Sequence, residues 1–268
     1  MDYDPIKDRL GKFFKRSPFL QKIFFKLLDL LLLRTWHVHR ELKLWSRENS
    51  GKREILDAGS GFGQYSFYMA RKHADWNILG VDVKQDQIDN CNEFFNKIGL
   101  NNATFQFGDL TKYQKAESFD LVLSVDVMEH ILEDVEVFKN FHASLKNEGM
   151  VLISTPSDQG GSDVHEDSDE SFIGEHVRDG YNIDEIKEKL KTAGFSKVKA
   201  RYTYGAPGKV SWRLSMKYPI KMLNSSKAFF ILLPFYYLLT YPICYILNWI
   251  DTHSGHTTGT GLIVKAWK

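Results

Sequence analysis

Several residues in this chain are spaced as chemistry requires. Asp57, Gly59, Ser60, Gly61, Gly63 and Gln64 fall in residues 55–64, Ile-Leu-Asp-Ala-Gly-Ser-Gly-Phe-Gly-Gln, where an apolar run meets alternating glycines. That pattern reads as a buried strand ending in a turn from which Cβ atoms are absent, so a ligand can approach the backbone closely. Opening onto a helix, such a turn presents backbone N–H groups to a nucleotide-like ligand. Asp82 and Val83 close a second apolar run, with Asp82 lying 23 residues beyond Gly59. A carboxylate there can accept hydrogen bonds from ribose hydroxyls. Glu129 and His130 follow a fourth apolar run, and an imidazole near its pKa at neutrality can take a proton from an acceptor. His176 is a second candidate base, in a polar stretch rich in acids.

These residues need a scaffold, and the sequence supplies one. From residue 54 onward, short apolar runs alternate with helix-like segments, which implies an α/β fold around a largely parallel sheet. Strands are expected at 54–58, 76–81, 103–107, 119–125, 150–154, 198–204 and 261–267. Helices are expected at 85–98, about 133–145, and 183–192. At 268 residues, with 43% hydrophobic and 26% charged residues, the chain is globular and long enough for a large core. Two cysteines, Cys91 and Cys244, give neither a disulfide framework nor a paired-cysteine metal site. A reduced, cytosolic setting fits them.

Taken together, the landmarks resemble the class I S-adenosylmethionine-dependent methyltransferases over roughly residues 50–205 and the C-terminus. The matching pieces are Leu56-Asp57-Ala58-Gly59-Ser60-Gly61-Phe62-Gly63, Gly80-Val81-Asp82, Gly108-Asp109-Leu110, Phe119-Asp120-Leu121-Val122, Met128-Glu129-His130 and Gly149-Met150-Val151-Leu152-Ile153-Ser154-Thr155-Pro156. The resemblance implies a Rossmann-like seven-stranded sheet with S-adenosylmethionine at the carboxyl ends of the early strands and S-adenosylhomocysteine as product. It assigns Asp57 and the glycine turn to the methionine part of the cofactor. Asp82 and Val83 go to the ribose side, and Gly108, Asp109 and Leu110 to the adenine. Val125, Asp126, Glu129 and His130 line the floor beneath the methyl group. The Glu129-His130 pair is similar to that of the ubiquinone-biosynthesis O-methyltransferases, which leaves a divalent metal open although the residues themselves name no metal site. An NAD-binding domain is the competing reading of the glycine turn. Asp57 two places before Gly59, and Gly108-Asp109-Leu110 after the third strand, favour the methyltransferase.

Two additions remain. Residues 1–46 read as a helical lid or membrane anchor, and within them residues 9–34 carry a basic amphipathic pattern, Phe13, Phe14, Phe19, Leu20, Ile23, Phe24, Leu27, Leu28 and Leu31 being interleaved with Lys12, Lys15, Arg16, Lys22 and Lys26. Residues 1–53 hold thirteen Lys and Arg against six Asp and Glu. This suits helices that pack on the core or lie on anionic lipid. A helix carrying Trp36, His37, His39, Arg40 and Trp45 is expected to close over the cofactor. The second addition, residues 205–258, interrupts two strands that should pair as a hairpin within the 47–268 domain. Its residues 228–250 carry no charge. Length permits a membrane span, but the chain must return to the same sheet. Pro234 and Pro242 should break the segment into short pieces, giving a helical hairpin in one leaflet or a cover over the substrate pocket.

The expectation is therefore a monotopic enzyme at the cytoplasmic face of the membrane, acting on a hydrophobic or lipid-linked small molecule. O-methylation of a phenolic or quinol hydroxyl stands first. A lipid N- or C-methyltransferase and a catalytically silent cofactor-binding scaffold are the alternatives. Residues 158–185 hold ten acids and one basic residue, Arg178, so no nucleic-acid partner is expected at that end of the sheet.

Overall fold

The computed structural model describes residues 17–160, 177–226 and 228–268. Among them, seven strands form one sheet: β1 (Arg53–Ala58), β2 (Trp76–Asp82), β3 (Ala103–Phe107), β4 (Phe119–Val125), β5 (Leu145–Pro156), β6 (Lys197–Thr203) and β7 (Gly261–Trp267). Their order is β3-β2-β1-β4-β5-β7-β6. β1 to β5 pair in parallel, and β7 runs antiparallel between β5 and β6. The central strands are apolar on both faces because both are covered, as a parallel sheet demands. Ile55, Leu121, Leu123 and Leu152 point into one core, and Leu56, Val122, Val151 and Ile153 into the other.

The helices are α1 (Pro18–Leu31), α2 (Leu33–Glu48), α3 (Gln64–Lys72), α4 (Gln85–Lys97), α5 (Asp134–Ser144), α6 (Ile183–Thr192), α7 (Ala206–Trp212), α8 (Tyr218–Ser225) and α9 (Phe229–His253). Phe25 of α1, Leu42 of α2, Phe67 of α3 and Phe94 of α4 meet on the first face. Phe138 of α5 and Leu190 of α6 cover the second. Ser17 caps α1 by accepting the Phe19 N–H, with Pro18 at the first helical position, where its missing N–H costs nothing. The N-terminal helices are thus part of the core, while Phe19, Leu27 and Leu30 face outward.

Two expectations change. β5 is longer than 150–154, because Leu145 already pairs with Phe119 across a register shift and Pro156 still pairs with Gly261. The segment after residue 228 is one continuous helix with both prolines inside it, not a set of short pieces. Tertiary anchoring offsets the cost of about 3 kcal/mol for each interior proline. Tyr236 and Tyr237 donate to Leu214 O and Ser215 O at 2.7 Å, and Ser211 donates to Asn248 Oδ1 at 2.6 Å. Cys244, Asn248, Asp251 and Thr252 form the buried face of α9. Its outward face carries Ile231, Leu238 and Leu239, each more than 70% exposed. At 25 residues, α9 is long and apolar enough to cross a membrane by length and composition.

Candidate active site

The site is assembled at the carboxyl ends of β1, β2 and β4. Gly59, Gly61 and Gly63 all take left-handed backbone angles, φ +79°, +50° and +76°, which side chains disfavour. A Cβ on Gly59 would stand 2.3 Å from Val127 Cγ2, whereas one on Gly61 would meet only Gln87 Oε1 at 3.6 Å. The loop is therefore tight beneath Gly59 and open above Gly61. Its N–H groups are spoken for: Gly59 and Ser60 donate to Val81 O, Gly63 to Ser60 O, and Gly61 to Asp82 Oδ2. The expected row of free amide donors is thus replaced at these four positions by close approach and by carboxylates, because the tips of β1 and β2 are laced together first.

Asp57 is buried, and its Oδ2 accepts the Ser66 hydroxyl at 2.6 Å. Burial pushes its pKa up to about 6, and the charge of Asp82 adds to the rise. Asp82 is half-buried and also accepts the Lys84 N–H at 2.9 Å. Val83 and Phe107, 56% and 58% exposed, stand beside it at the ends of β2 and β3. Gly108 must lack a side chain, since its Cβ would lie 2.7 Å from Val81 Cγ1. Asp109 turns onto its own loop, accepting the Thr111 N–H and hydroxyl, which hold its pKa below the usual range. Leu110 is buried beneath.

Past Val125 the chain turns sharply. Asp126 takes φ +52° while its N–H bonds Ser154 O at 2.9 Å. Its carboxylate pairs with Arg34, from the first turn of α2; both side chains are 28% exposed. Arg34 is in turn seated by Tyr204, whose hydroxyl accepts the Arg34 N–H at 2.9 Å. Burial raises the pKa of Tyr65 and pushes that of Tyr204 up to about 12, with Arg34 opposing both. Both hydroxyls thus stay protonated. Glu129 is buried in the one-turn helix Met128–His130 and accepts the Thr155 hydroxyl at 3.1 Å. Burial pushes its pKa up to about 7. His130, half-buried, ends that turn.

Of the residues chosen from sequence, Asp57, the glycines, Asp82, Val125, Asp126, Glu129 and His130 come together here. Gln64 has another role: its Nε2 donates to Asp29 Oδ1 at 2.7 Å and to Thr35 Oγ1 at 3.3 Å, tying the loop to α1 and α2. His176 lies outside the described residues. Arg178, the one basic residue of the acidic stretch 158–185, turns inward and binds Asp134, the Tyr181 hydroxyl and Ile131 O, bracing the turn that carries His130. Sequence reading missed Arg34 and Tyr204. It expected a helix here but chose Trp36, His37, His39, Arg40 and Trp45 on it, and nothing local marks Arg34. Among the described residues, no group of three or more His, Cys, Asp or Glu side chains could hold a metal ion.

This is the geometry of a class I S-adenosylmethionine-dependent methyltransferase, and residues 49–200 match the family model of the methyltransferase domain, to which the chain belongs. Phosphoethanolamine N-methyltransferase 1 of Triticum aestivum is 32% identical over 152 residues, 55% of this chain and 29% of that protein. Its counterpart in Arabidopsis thaliana is 33% identical over 147 residues, again 29% of its length. The chain therefore spans less than a third of the curated relatives it matches. In fold it is similar to a putative sarcosine dimethylglycine methyltransferase from Galdieria sulphuraria, with TM-score 0.57 and 18% identity over 87% of this chain and 84% of that one. It is similar also to phosphoethanolamine N-methyltransferase 2 of Haemonchus contortus in complex with S-adenosyl-L-methionine, with TM-score 0.60 and 19% identity over 100% of this chain and 60% of that one.

The residues present fit that cofactor. Ser60 Oγ is buried without a hydrogen-bond partner among the described residues, an orphan that a bound ligand would satisfy. Asp82 keeps lone pairs for ribose hydroxyls, Val83 and Phe107 offer an apolar edge to a base, and Asp57 and Asp126 suit a cationic group. The bound cofactor supplies an electrophilic methyl group.

Proposed function

We propose that the chain methylates the nitrogen of an amphipathic or lipid-linked amine at a membrane surface. The observation that carries this reading is that the mouth lined by Asp126 and Arg34 and the exposed apolar helix α9 meet at one corner, through Tyr204 and Asp251. Asp126, whose Oδ2 pairs with Arg34, offers its other oxygen to an ammonium group more strongly than to a neutral phenol. Two curated relatives, from Triticum aestivum and Arabidopsis thaliana, are phosphoethanolamine N-methyltransferases, which also supports nitrogen as the acceptor. The sequence-based preference for a phenolic or quinol hydroxyl gives way to the alternative on these grounds.

In this reading Asp126 orients the amine and His130 takes the proton it must shed before its lone pair can attack. Bound S-adenosylmethionine would supply the methyl group to that lone pair, with Asp126 holding the amine and His130 the proton. Positioning and exclusion of water do most of the work. Glu129, buried against Thr155, shapes the floor. α9 lies on one leaflet at the cytoplasmic face: its buried side belongs to the protein core and β7 must rejoin the sheet, so a crossing is disfavoured. An exposed apolar face of this size marks a membrane or partner surface. Lys221 precedes it and Lys22 and Lys26 are exposed on α1, as headgroup contacts would be.

Deleting residues 228–250 would remove buried Cys244 and Asn248, so charged substitutions are the better test. Ile231→Glu, Leu238→Glu and Leu239→Glu together should abolish sedimentation with anionic vesicles and leave S-adenosylmethionine affinity unchanged. Retained sedimentation ends the membrane reading. Methyl transfer to phosphoethanolamine and to phosphatidylethanolamine vesicles tests the acceptor; labelled product on a catechol and on neither amine ends the amine reading.

A further inference from the structure

We infer that Asp251 is a positioning residue that joins the exposed apolar helix α9 to the acceptor mouth at Arg34 and Asp126. Asp251 is fully buried near the end of α9. Its Oδ1 accepts from His37 Nε2 at 2.9 Å and from the Tyr204 N–H at 3.1 Å. Its Oδ2 accepts from the Gly208 N–H at 2.9 Å and lies 3.2 Å from His256 Nε2. Four partners from four segments converge on one carboxylate: α2, the corner after β6, α7, and the return toward β7. Room for it is reserved, since a Cβ on Gly208 would stand 2.6 Å from Asp251 Oδ2.

The tautomer of His37 follows from its other neighbour. Arg201 guanidinium nitrogens lie 3.2 and 3.3 Å from Nδ1, so Nδ1 accepts and Nε2 carries the hydrogen given to Asp251. The bond is thus directional, fixing the rotation of α2 about its axis.

Both arms of this bracket end at Arg34. His37 sits one helical turn beyond Arg34 on α2. Tyr204 supplies the hydroxyl that accepts the Arg34 N–H, and it is held at φ +56°, a conformation that a bulky residue keeps only when its surroundings impose it. Asp251 imposes it through the Tyr204 N–H. Arg34 then reaches Asp126 at the methyl-transfer end of β4. Trp36 of α2 also packs edge-on against Tyr245 of α9, ring centroids 4.9 Å apart, so a movement of α9 is carried to the start of α2 by packing as well as by hydrogen bonds.

The consequence rests on the reading of α9 as a lipid-facing helix: a bilayer that seats α9 also sets the mouth that receives the acceptor. Hydrogen exchange of the full chain, with and without vesicles of phosphatidylcholine and phosphatidylglycerol, tests it without any acceptor in hand. In the wild type, vesicles should slow exchange in α9 and also in residues 33–37. In Asp251→Asn, residues 33–37 should exchange faster by about tenfold, the scale of one lost hydrogen bond to a charged group. β1 and β4 should be unchanged and S-adenosylmethionine affinity should stay within about threefold, less than the loss of one such bond. Vesicles should still protect α9 in this variant and no longer slow residues 33–37.

Tyr204→Phe, which removes only a hydroxyl, should reproduce the faster exchange at Arg34, and adding it to Asp251→Asn should give no further change there. Additive effects of the two substitutions overturn the proposal. So does transmission of vesicle protection to residues 33–37 in Asp251→Asn, or loosening spread evenly through β1 and β4. If Asp251→Asn fails to fold, unchanged exchange at Arg34 in Tyr204→Phe overturns it alone. Vesicles that leave wild-type α9 unprotected defeat the lipid reading, while the vesicle-free comparison still decides the bracket.

Discussion

Asp82 accepts the Gly61 N–H at 2.9 Å, so the glycine turn and the tip of β2 are joined by the carboxylate assigned to the ribose. Its other oxygen accepts the Lys84 N–H at the same distance. Each oxygen is thereby aimed by one protein donor and keeps a lone pair for a hydroxyl. Asp82→Ala should lose both the ribose contacts and the aim of the loop, lowering S-adenosylmethionine affinity by about a hundredfold, two charged hydrogen bonds of about 1.5 kcal/mol each. Asp82→Asn keeps an acceptor and should fall between. Isothermal titration checks both; equal losses would show that only charge matters.

Gly59 gives a sharper steric test than its neighbours. Alanine there would need φ +79° and would drive its Cβ into Val127, the residue that begins the turn carrying His130. Gly59→Ala should abolish cofactor binding and cost about 1–3 kcal/mol of stability from left-handed strain and overpacking. Gly61→Ala, with its open surroundings, should lose only the left-handed strain of φ +50°, about 1 kcal/mol, and still bind cofactor poorly. Thermal unfolding beside titration separates the two; similar melting losses for both would count against the steric reading.

These two positions also show what could be read in advance. β3, β4, β7 and α6 have the ends expected from apolar runs bounded by Gly, Pro, Asn and Asp, because β4 and β7 are buried along most of their length and α6 repeats its apolar residues at helical spacing. Asp57, Asp82 and Asp126 were legible because each closes such a run. Arg34 was not, because nothing local marks it: its role exists only once Tyr204, 170 residues away in sequence, is beside it. The continuity of α9 was hidden for a related reason. Its prolines disfavour an isolated helix, and the partners that overrule them, Ser211 and the carbonyls of Leu214 and Ser215, lie in α7 and the π-turn Arg213–Lys217.

Glu129 should make stability fall as pH rises. Its folded pKa of about 7 lies above the ordinary value of 4.5, chiefly through burial. Below about pH 4.5 the group is protonated folded or unfolded and costs nothing. Between the two values the folded chain keeps a proton that the unfolded chain releases, so stability declines until pH passes 7. Glu129→Gln removes this titration. The variant should gain on wild type by about 3 kcal/mol between acid and mildly alkaline pH, read from urea unfolding at several pH values. A flat difference would mean that the carboxylate is charged in the fold.

Glu41 should behave in the opposite sense. It is as buried as Glu129, yet its pKa is held low: burial works to raise it, and the Lys265 bond at 2.6 Å with the Arg201 bond at 3.0 Å outweighs burial. Its contribution is therefore present above the unfolded pKa and fades as pH falls through the lower folded value. Removing one partner of a fully buried pair costs about 3–5 kcal/mol. Arg201 and Lys265 are each 27% exposed, so water can rehydrate them and Glu41→Gln should cost about 1–3 kcal/mol at neutral pH. That cost should shrink in acid, and the same substitution should leave cofactor affinity intact, because Glu41 braces α2 against β6 and β7 on the side away from the glycine turn. Urea unfolding of Glu41→Gln and Glu129→Gln across one pH series should give difference curves of opposite slope. Parallel slopes would mean that the ion pairs of Glu41 do not offset its burial, and that α2 is held to the sheet by Leu42 and Trp45 alone.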